Sequence, residues 1–194
     1  MALCIFCGSS KGSSPVYADA AVAMGRALAR AGIDLVYGGG HIGLMGILAD
    51  AALGEGGRVI GVIPAALVAR ELAHNGLTEL HVVETMHDRK ARMAELSDGF
   101  IALPGGAGTL EELFEQFTWA QLGIHAKPCS VLDVAGYFAP LRQLVARMVA
   151  DGFLHPDDAR ILMFEDDVDR LLAAMLDFAP SDAAFRKPVT SIQP

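Results

Sequence analysis

The sequence predicts an α/β fold, a single domain built on one parallel sheet with helices on both faces. Short apolar runs alternate with segments of helical spacing along most of the chain. The runs are almost continuously apolar, as strands covered on both faces are. Three of them end in glycines or small polar residues: Gly8 to Ser10, Gly38 to Gly40, and Pro104 to Thr109. Ligands of open parallel sheets bind beyond the carboxyl ends of the strands, so these loops mark one working edge. Glycine also serves ordinary turns, and each loop taken alone has that simpler reading.

Ala2 to Cys7 is the first strand. A helix follows over Pro15 to Ala31, with Val16, Ala20, Ala23, Met24, Ala27 and Leu28 on one side. Pro15 suits its first turn and Gly32 its end. Ile33 to Tyr37 is a strand, then Ile42 to Leu53 a helix. Arg58 to Ile63 is a strand stopped by Pro64, and Glu79 to Glu84 alternates as a strand does. Met86 to Leu96 is helical, Gly99 to Leu103 a strand, and Leu110 to Leu122 a long amphipathic helix. Pro128 to Asp133, Tyr137 to Ala150, Ile161 to Phe164 and Val168 to Phe178 complete the alternation as strand, helix, strand and helix. The crossovers are expected to be right-handed. No repeat or interdomain linker interrupts residues 1–179, and the polar, proline-containing stretch 180–194 reads as a loose tail.

The 194 residues, 53% of them apolar, suffice for one sizeable core and exclude disorder over most of the length. A formal net charge of −8 argues against a nucleic-acid backbone as the main partner. A small anion remains compatible with it, since backbone amides and a few arginines bind one locally. No apolar run reaches the ~18 residues of a membrane span. The first strand begins beside Met1 without a basic and apolar leader, which predicts no secretory signal. Cys4 and Cys7 lie three apart on a strand and face opposite sides. They and Cys129 read as buried thiols of a reducing, cytoplasmic compartment.

The central stretch is Pro104 to Glu112, PGGAGTLEE. A strand, a glycine-rich turn and a helix start make an anion site, because the first helical amides point outward without partners. Thr109 and Glu112 have the spacing of a capping box, which competes with a chemical role for the glutamate. Thr85 and Asp88 share that spacing. Arg89 and Lys90 then fall near a helix start, where the macrodipole disfavours cations by about 0.3–1 kcal/mol. They either face an anion or form an exposed basic pair offset by Asp88.

Gly38-x-Gly40-x-x-Gly43 matches the dinucleotide pattern, but the next strand ends Val62-Ile63-Pro64 with no acid for a ribose. No P-loop, nucleophile elbow or metal-ligand spacing is present, and the six histidines are scattered. What remains is an anion cradle, an arginine and a carboxylate. That set suits cleavage of a nucleotide at its N-glycosidic bond: the phosphate anchors the substrate and the carboxylate meets a sugar that becomes cationic.

The chain resembles the cytokinin riboside 5'-monophosphate phosphoribohydrolases, the LOG or Lonely Guy family, from Ile5 to about Leu154. The motif P-G-G-x-G-T-x-x-E is matched by Pro104, Gly105, Gly106, Gly108, Thr109 and Glu112. Phe6 to Ser10, Gly38 to Gly40 with Gly43 to Gly46, Ile60 to Pro64 and Thr118 to His125 match as well. The resemblance implies a Rossmann-like fold, a homodimer, and release of free base and ribose 5-phosphate from a cytokinin nucleotide or AMP, with no cofactor and no metal. It implies Arg89 and Glu112 as the catalytic pair. It places substrate contacts at Glu71, Arg89, Lys90, Gly105, Gly106, Ala107, Gly108, Thr109, Leu110, Glu111 and Thr118. Additional loop contacts are expected at Gly8, Ser9, Gly39 and Gly40.

Two positions depart from the family pattern: Asp88 stands where many bacterial members have Glu, and Ala107 where an aromatic residue is common. Family members have also been labelled lysine decarboxylases, a chemistry that usually uses pyridoxal phosphate on a lysine. None of Lys11, Lys90, Lys127 and Lys187 sits in a sequence context that argues for a Schiff base. A non-catalytic nucleotide or molybdenum-cofactor carrier is the main alternative, and a structural dimer with a vestigial cleft is another.

Overall fold

The first strand, β1 (Ala2–Phe6), lies at the centre of the sheet because its side chains are apolar on both faces. Leu3 and Ile5 enter one core and Cys4 and Phe6 the other. The computed structural model describes residues 1–69 and 72–178. In it β1 is followed by α1 (Pro15–Arg30), β2 (Asp34–Tyr37), α2 (Gly43–Gly54), β3 (Val59–Pro64) and a single-turn helix α3 (Ala65–Val68). Then come β4 (Glu79–Val83), α4 (Met86–Glu95), β5 (Gly99–Ala102) and α5 (Ala107–Gln121). The chain continues with β6 (Cys129–Leu132), a 3-10 turn at Val134–Gly136, α6 (Ala139–Ala150), the short α7 (Pro156–Ala159), β7 (Leu162–Glu165) and α8 (Val168–Asp177).

All seven strands are parallel, in the order β4-β3-β2-β1-β5-β6-β7. The expected α/β class and two-sided cover are therefore present. One core packs α1, α2 and α8 on the sheet through Met24, Leu28, Leu48, Leu171 and Met175. The other packs α4, α5 and α6 on the opposite face through Met93, Leu113, Phe117 and Val145. Cys7 belongs to the first core and Cys4 to the second; these two and Cys129 are buried and free.

The strand order reverses beside β1. From β1 the chain moves outward through β2, β3 and β4, then returns to lay β5 against β1 on its other edge. At such a switch point the connections leave in opposite directions and open a crevice. The loops at its lip are Gly8 to Ser10 after β1 and Pro104 to Gly106 after β5. They are tied together, since Gly8 N donates to Pro104 O at 3.1 Å. Leu44 N donates to Gly8 O at 3.0 Å, fixing the same loop to the start of α2.

The start of α5 differs from the sequence expectation. The helix begins at Ala107 with Gly106 as its N-cap residue, and no side chain caps it. Thr109 lies inside the first turn and is buried, so Thr109 and Glu112 form no capping box. The extended Gly106 enters the helix directly and leaves the amides of Ala107, Gly108 and Thr109 without helical acceptors. At α4 the expected box is present: Thr85 Oγ1 accepts from Asp88 N, and Asp88 Oδ2 accepts from Thr85 N, each at 3.1 Å. Glu71 and the stretch 180–194 lie outside the described residues. Among the described residues no helix is long and apolar enough to cross a membrane.

Candidate active site

A cavity of about 330 Å³ opens at the crevice. Cys7, Gly8 and Ser9 form one wall, Gly106 to Thr109 a second, and Met45, Met86, Arg89, Glu111 and Glu112 the remainder. A larger groove of about 850 Å³ runs between α1 and α8, but it lies beside the edge strand β7, away from the crevice next to β1, and has no glycine cradle.

Glu112 sits in the second turn of α5 and Arg89 in the first turn of α4. The sheet edge brings them together, with Arg89 Nη1 at 3.3 Å from Glu112 Oε1 and each side chain 11% exposed. Arg89 Nε also donates to Val62 O at 3.2 Å, at the end of β3. Burial pushes the Glu112 carboxyl above the usual glutamate range, the Arg89 charge opposes the rise, and Glu111 adds to it. The result is a carboxylate in a partly dry pocket with a fixed cation beside it.

Gly38 makes this placement possible. A Cβ there would stand 1.9 Å from Arg89 Nη2. The guanidinium thus occupies the space that any other residue would fill. Gly38→Ala is expected to displace Arg89 by about an ångström and lower kcat/KM by roughly 10²-fold, measured on protein of unchanged fold by circular dichroism. Gly43 makes room for the Ser9 backbone, which its Cβ would meet at 2.2 Å. Two glycines of the apparent dinucleotide pattern therefore make room for protein atoms.

Gly106 and Gly108 are different. A Cβ at either would meet nothing within 4 Å, and neither has a positive φ. Neither packing nor backbone conformation demands glycine at them. What glycine provides is close approach of a ligand to the open amides of α5.

Of the expected site residues, the cavity gathers Gly8, Ser9, Arg89, Gly106, Ala107, Gly108, Thr109, Glu111 and Glu112. Lys90 is turned aside: its Nζ donates to Glu115 Oε1 at 2.9 Å and also to Glu111. Burial works against the Lys90 charge, and these carboxylates outweigh it and raise its pKa. Gly105 lies just behind the wall, against Thr109 and Gly8. Leu110 packs on the core beneath α5. Gly39 packs near Ile63 and Leu80, and Gly40 bridges to Ala73. Thr118 is exposed nine residues beyond Thr109, about 14 Å farther along the helix. The sequence reading missed Cys7, Met45 and Met86. Met86 had a signal, since it shares a helix face with Arg89 at i, i+3 spacing.

The chain is similar to known proteins over nearly its whole length. A family model described as "Possible lysine decarboxylase" matches residues 45–175. The cytokinin riboside 5'-monophosphate phosphoribohydrolase of Rhodococcoides fascians is 50% identical over 172 residues, 88% of this chain and 87% of that protein. One of Arabidopsis thaliana is 48% identical over 178 residues, 92% of this chain and 84% of that protein. The chain belongs to the LOG family. Among solved structures, the molybdenum cofactor binding protein of Rippkaea orientalis aligns with a TM-score of 0.69 at 19% identity, covering 90% of this chain and 94% of that one. At that identity the likeness concerns the fold.

The decarboxylase description finds no matching lysine in this LOG-family site. Lys90 is held between two glutamates, and Lys127 donates to Ala94 O at 2.7 Å under the sheet. Lys11 is an exposed loop residue, and Lys187 lies outside the described residues. Among the described residues, no lysine lines the cavity that holds Glu112. The described side chains of this cavity therefore do not fit a Schiff-base cofactor.

Proposed function

We propose that the chain hydrolyses the N-glycosidic bond of nucleoside 5'-monophosphates, cytokinin riboside monophosphates or AMP, releasing free base and ribose 5-phosphate. The observation that carries this reading is the pairing of two unfilled glycines, Gly106 and Gly108, with the buried Glu112–Arg89 pair across one cavity. The α5 amides take the 5'-phosphate, and the remote binding energy orients the ribose over Glu112. The bond between C1' and the base nitrogen breaks, and its electron pair leaves with the base. Water adds to C1', and its proton passes to Glu112, which also stabilises the cationic sugar. Arg89 favours the ionised form of Glu112 and offsets negative charge growing on the base. The base takes up a proton from solvent as it leaves, and the proton taken by Glu112 returns to solvent.

Homodimerisation fits the position of Thr118. It lies too far along α5 to reach a ligand in its own cradle, so a substrate contact from it comes from a second copy. A cytoplasmic location fits the three free thiols. A cofactor carrier would bind a nucleotide without cleaving it, and the complete P-G-G-x-G-T-x-x-E motif argues for cleavage.

Incubation with AMP and with isopentenyladenosine monophosphate, followed by separation of free base, tests the proposal. Release of base from either supports it, and release from neither overturns it. The ratio of kcat/KM for the two nucleotides then assigns the preferred substrate. Gly106→Ala is expected to raise KM at least ~10-fold, equivalent to about 1.4 kcal/mol of lost binding. Its melting temperature should fall by no more than about 4 °C, the cost of alanine for glycine at an N-cap, because the protein leaves the Cβ position empty.

A further inference from the structure

The turn between β6 and α6 carries unusual backbone. Ala135 has φ 52, the one non-glycine residue with positive φ among the described residues, and Gly136 follows with φ 75. A left-handed alanine is strained, and such strain persists only where the surroundings over-determine it. Here Asp133 Oδ1 accepts from Phe138 N at 2.6 Å and closes the turn. The Tyr137 ring is set edge-on against Phe138 at 5.1 Å and Tyr17 at 5.8 Å. That ring remains 41% exposed, so burial is not the main gain. What the turn delivers is the phenol, which donates to Gly105 O at 2.5 Å.

We propose that Tyr137 is a positioning residue for the substrate monophosphate, an inference that rests on the hydrolase reading above. Gly105 O and the Gly106 N–H belong to one planar peptide unit and point in opposite directions. Holding the oxygen therefore aims the Gly106 N–H away from the tyrosine. Flanked by two glycines, this peptide meets little steric resistance to flipping. A flip would turn a carbonyl dipole toward the phosphoryl oxygens in place of a donor. Pro104 O is held by Gly8 N, and the phenol supplies the second clamp, on the next carbonyl.

The test compares wild-type protein with Tyr137→Phe, which keeps the ring and deletes the hydroxyl. Binding of ribose 5-phosphate is measured by calorimetry, and steady-state kinetics are measured with AMP. The expected result is roughly tenfold weaker binding of ribose 5-phosphate and an equal rise in KM. The variant should keep kcat within about twofold and its melting temperature within about 2 °C. Equal affinity of the two proteins overturns the proposal, as does a fall in melting temperature with affinity unchanged, the mark of a merely structural tyrosine. The calorimetric comparison needs no turnover, so wild-type protein that binds ribose 5-phosphate but releases base from neither AMP nor isopentenyladenosine monophosphate refutes the hydrolase reading separately.

Discussion

Glu112→Gln is expected to lower kcat by about 10² to 10⁴, the range of a lost acid–base contribution. The substitution keeps the shape of the side chain and leaves an oxygen for Arg89 to donate to, so the cavity should survive. Stability gives an independent reading. The Glu112 carboxyl is raised by burial, more than Arg89 lowers it. A raised carboxyl favours the folded state while protonated, below its unfolded value of about 4.3. That contribution is lost as pH rises through the folded value, so ionised Glu112 costs stability at neutral pH. The Gln variant should lack this pH dependence, and melting temperatures recorded from pH 4 to pH 8 would show a flatter curve than wild type. Undiminished turnover would remove Glu112 from the reaction.

Arg89→Ala should cost both activity and stability. Both side chains of the pair are 11% exposed, so solvent screens the contact little. Breaking a buried pair typically destabilises by about 3–5 kcal/mol, because the remaining charge is stranded. Loss of the fixed cation at the leaving group should lower kcat by roughly 10² to 10³. Direction in pH separates this from general damage. Arg89 opposes the rise of the Glu112 carboxyl, so its removal pushes that carboxyl further up. The acid limb of kcat/KM, which reports ionisation of Glu112, should move to higher pH in the variant. An unmoved limb would mean that the two side chains do not act together.

Much of this architecture was legible in the chain. The near-continuous apolar runs gave every strand but β4 to within two residues at either end, because a strand covered on both faces tolerates little else. The edge strand β4 showed itself by alternation, with every second residue exposed. Single-turn helices such as α3 and α7 escaped, since four residues carry no period. Local pattern misjudged the start of α5. Thr109 and Glu112 fit a capping box as well as any pair, and only the approach of Arg89, 23 residues earlier, shows where Glu112 goes. Gly38 was likewise read as a glycine of the ligand loop. Its reason is a side chain from another helix, a pairwise fact that no single stretch of sequence contains.

The seat of Arg89 bears on how the site meets its ligand. With its flat group lodged against a residue that has no side chain and moored to a main-chain oxygen of β3, the arginine has little freedom to search. A nucleotide entering the crevice meets a template already in register, and most of the ordering that accompanies docking falls on the nucleotide.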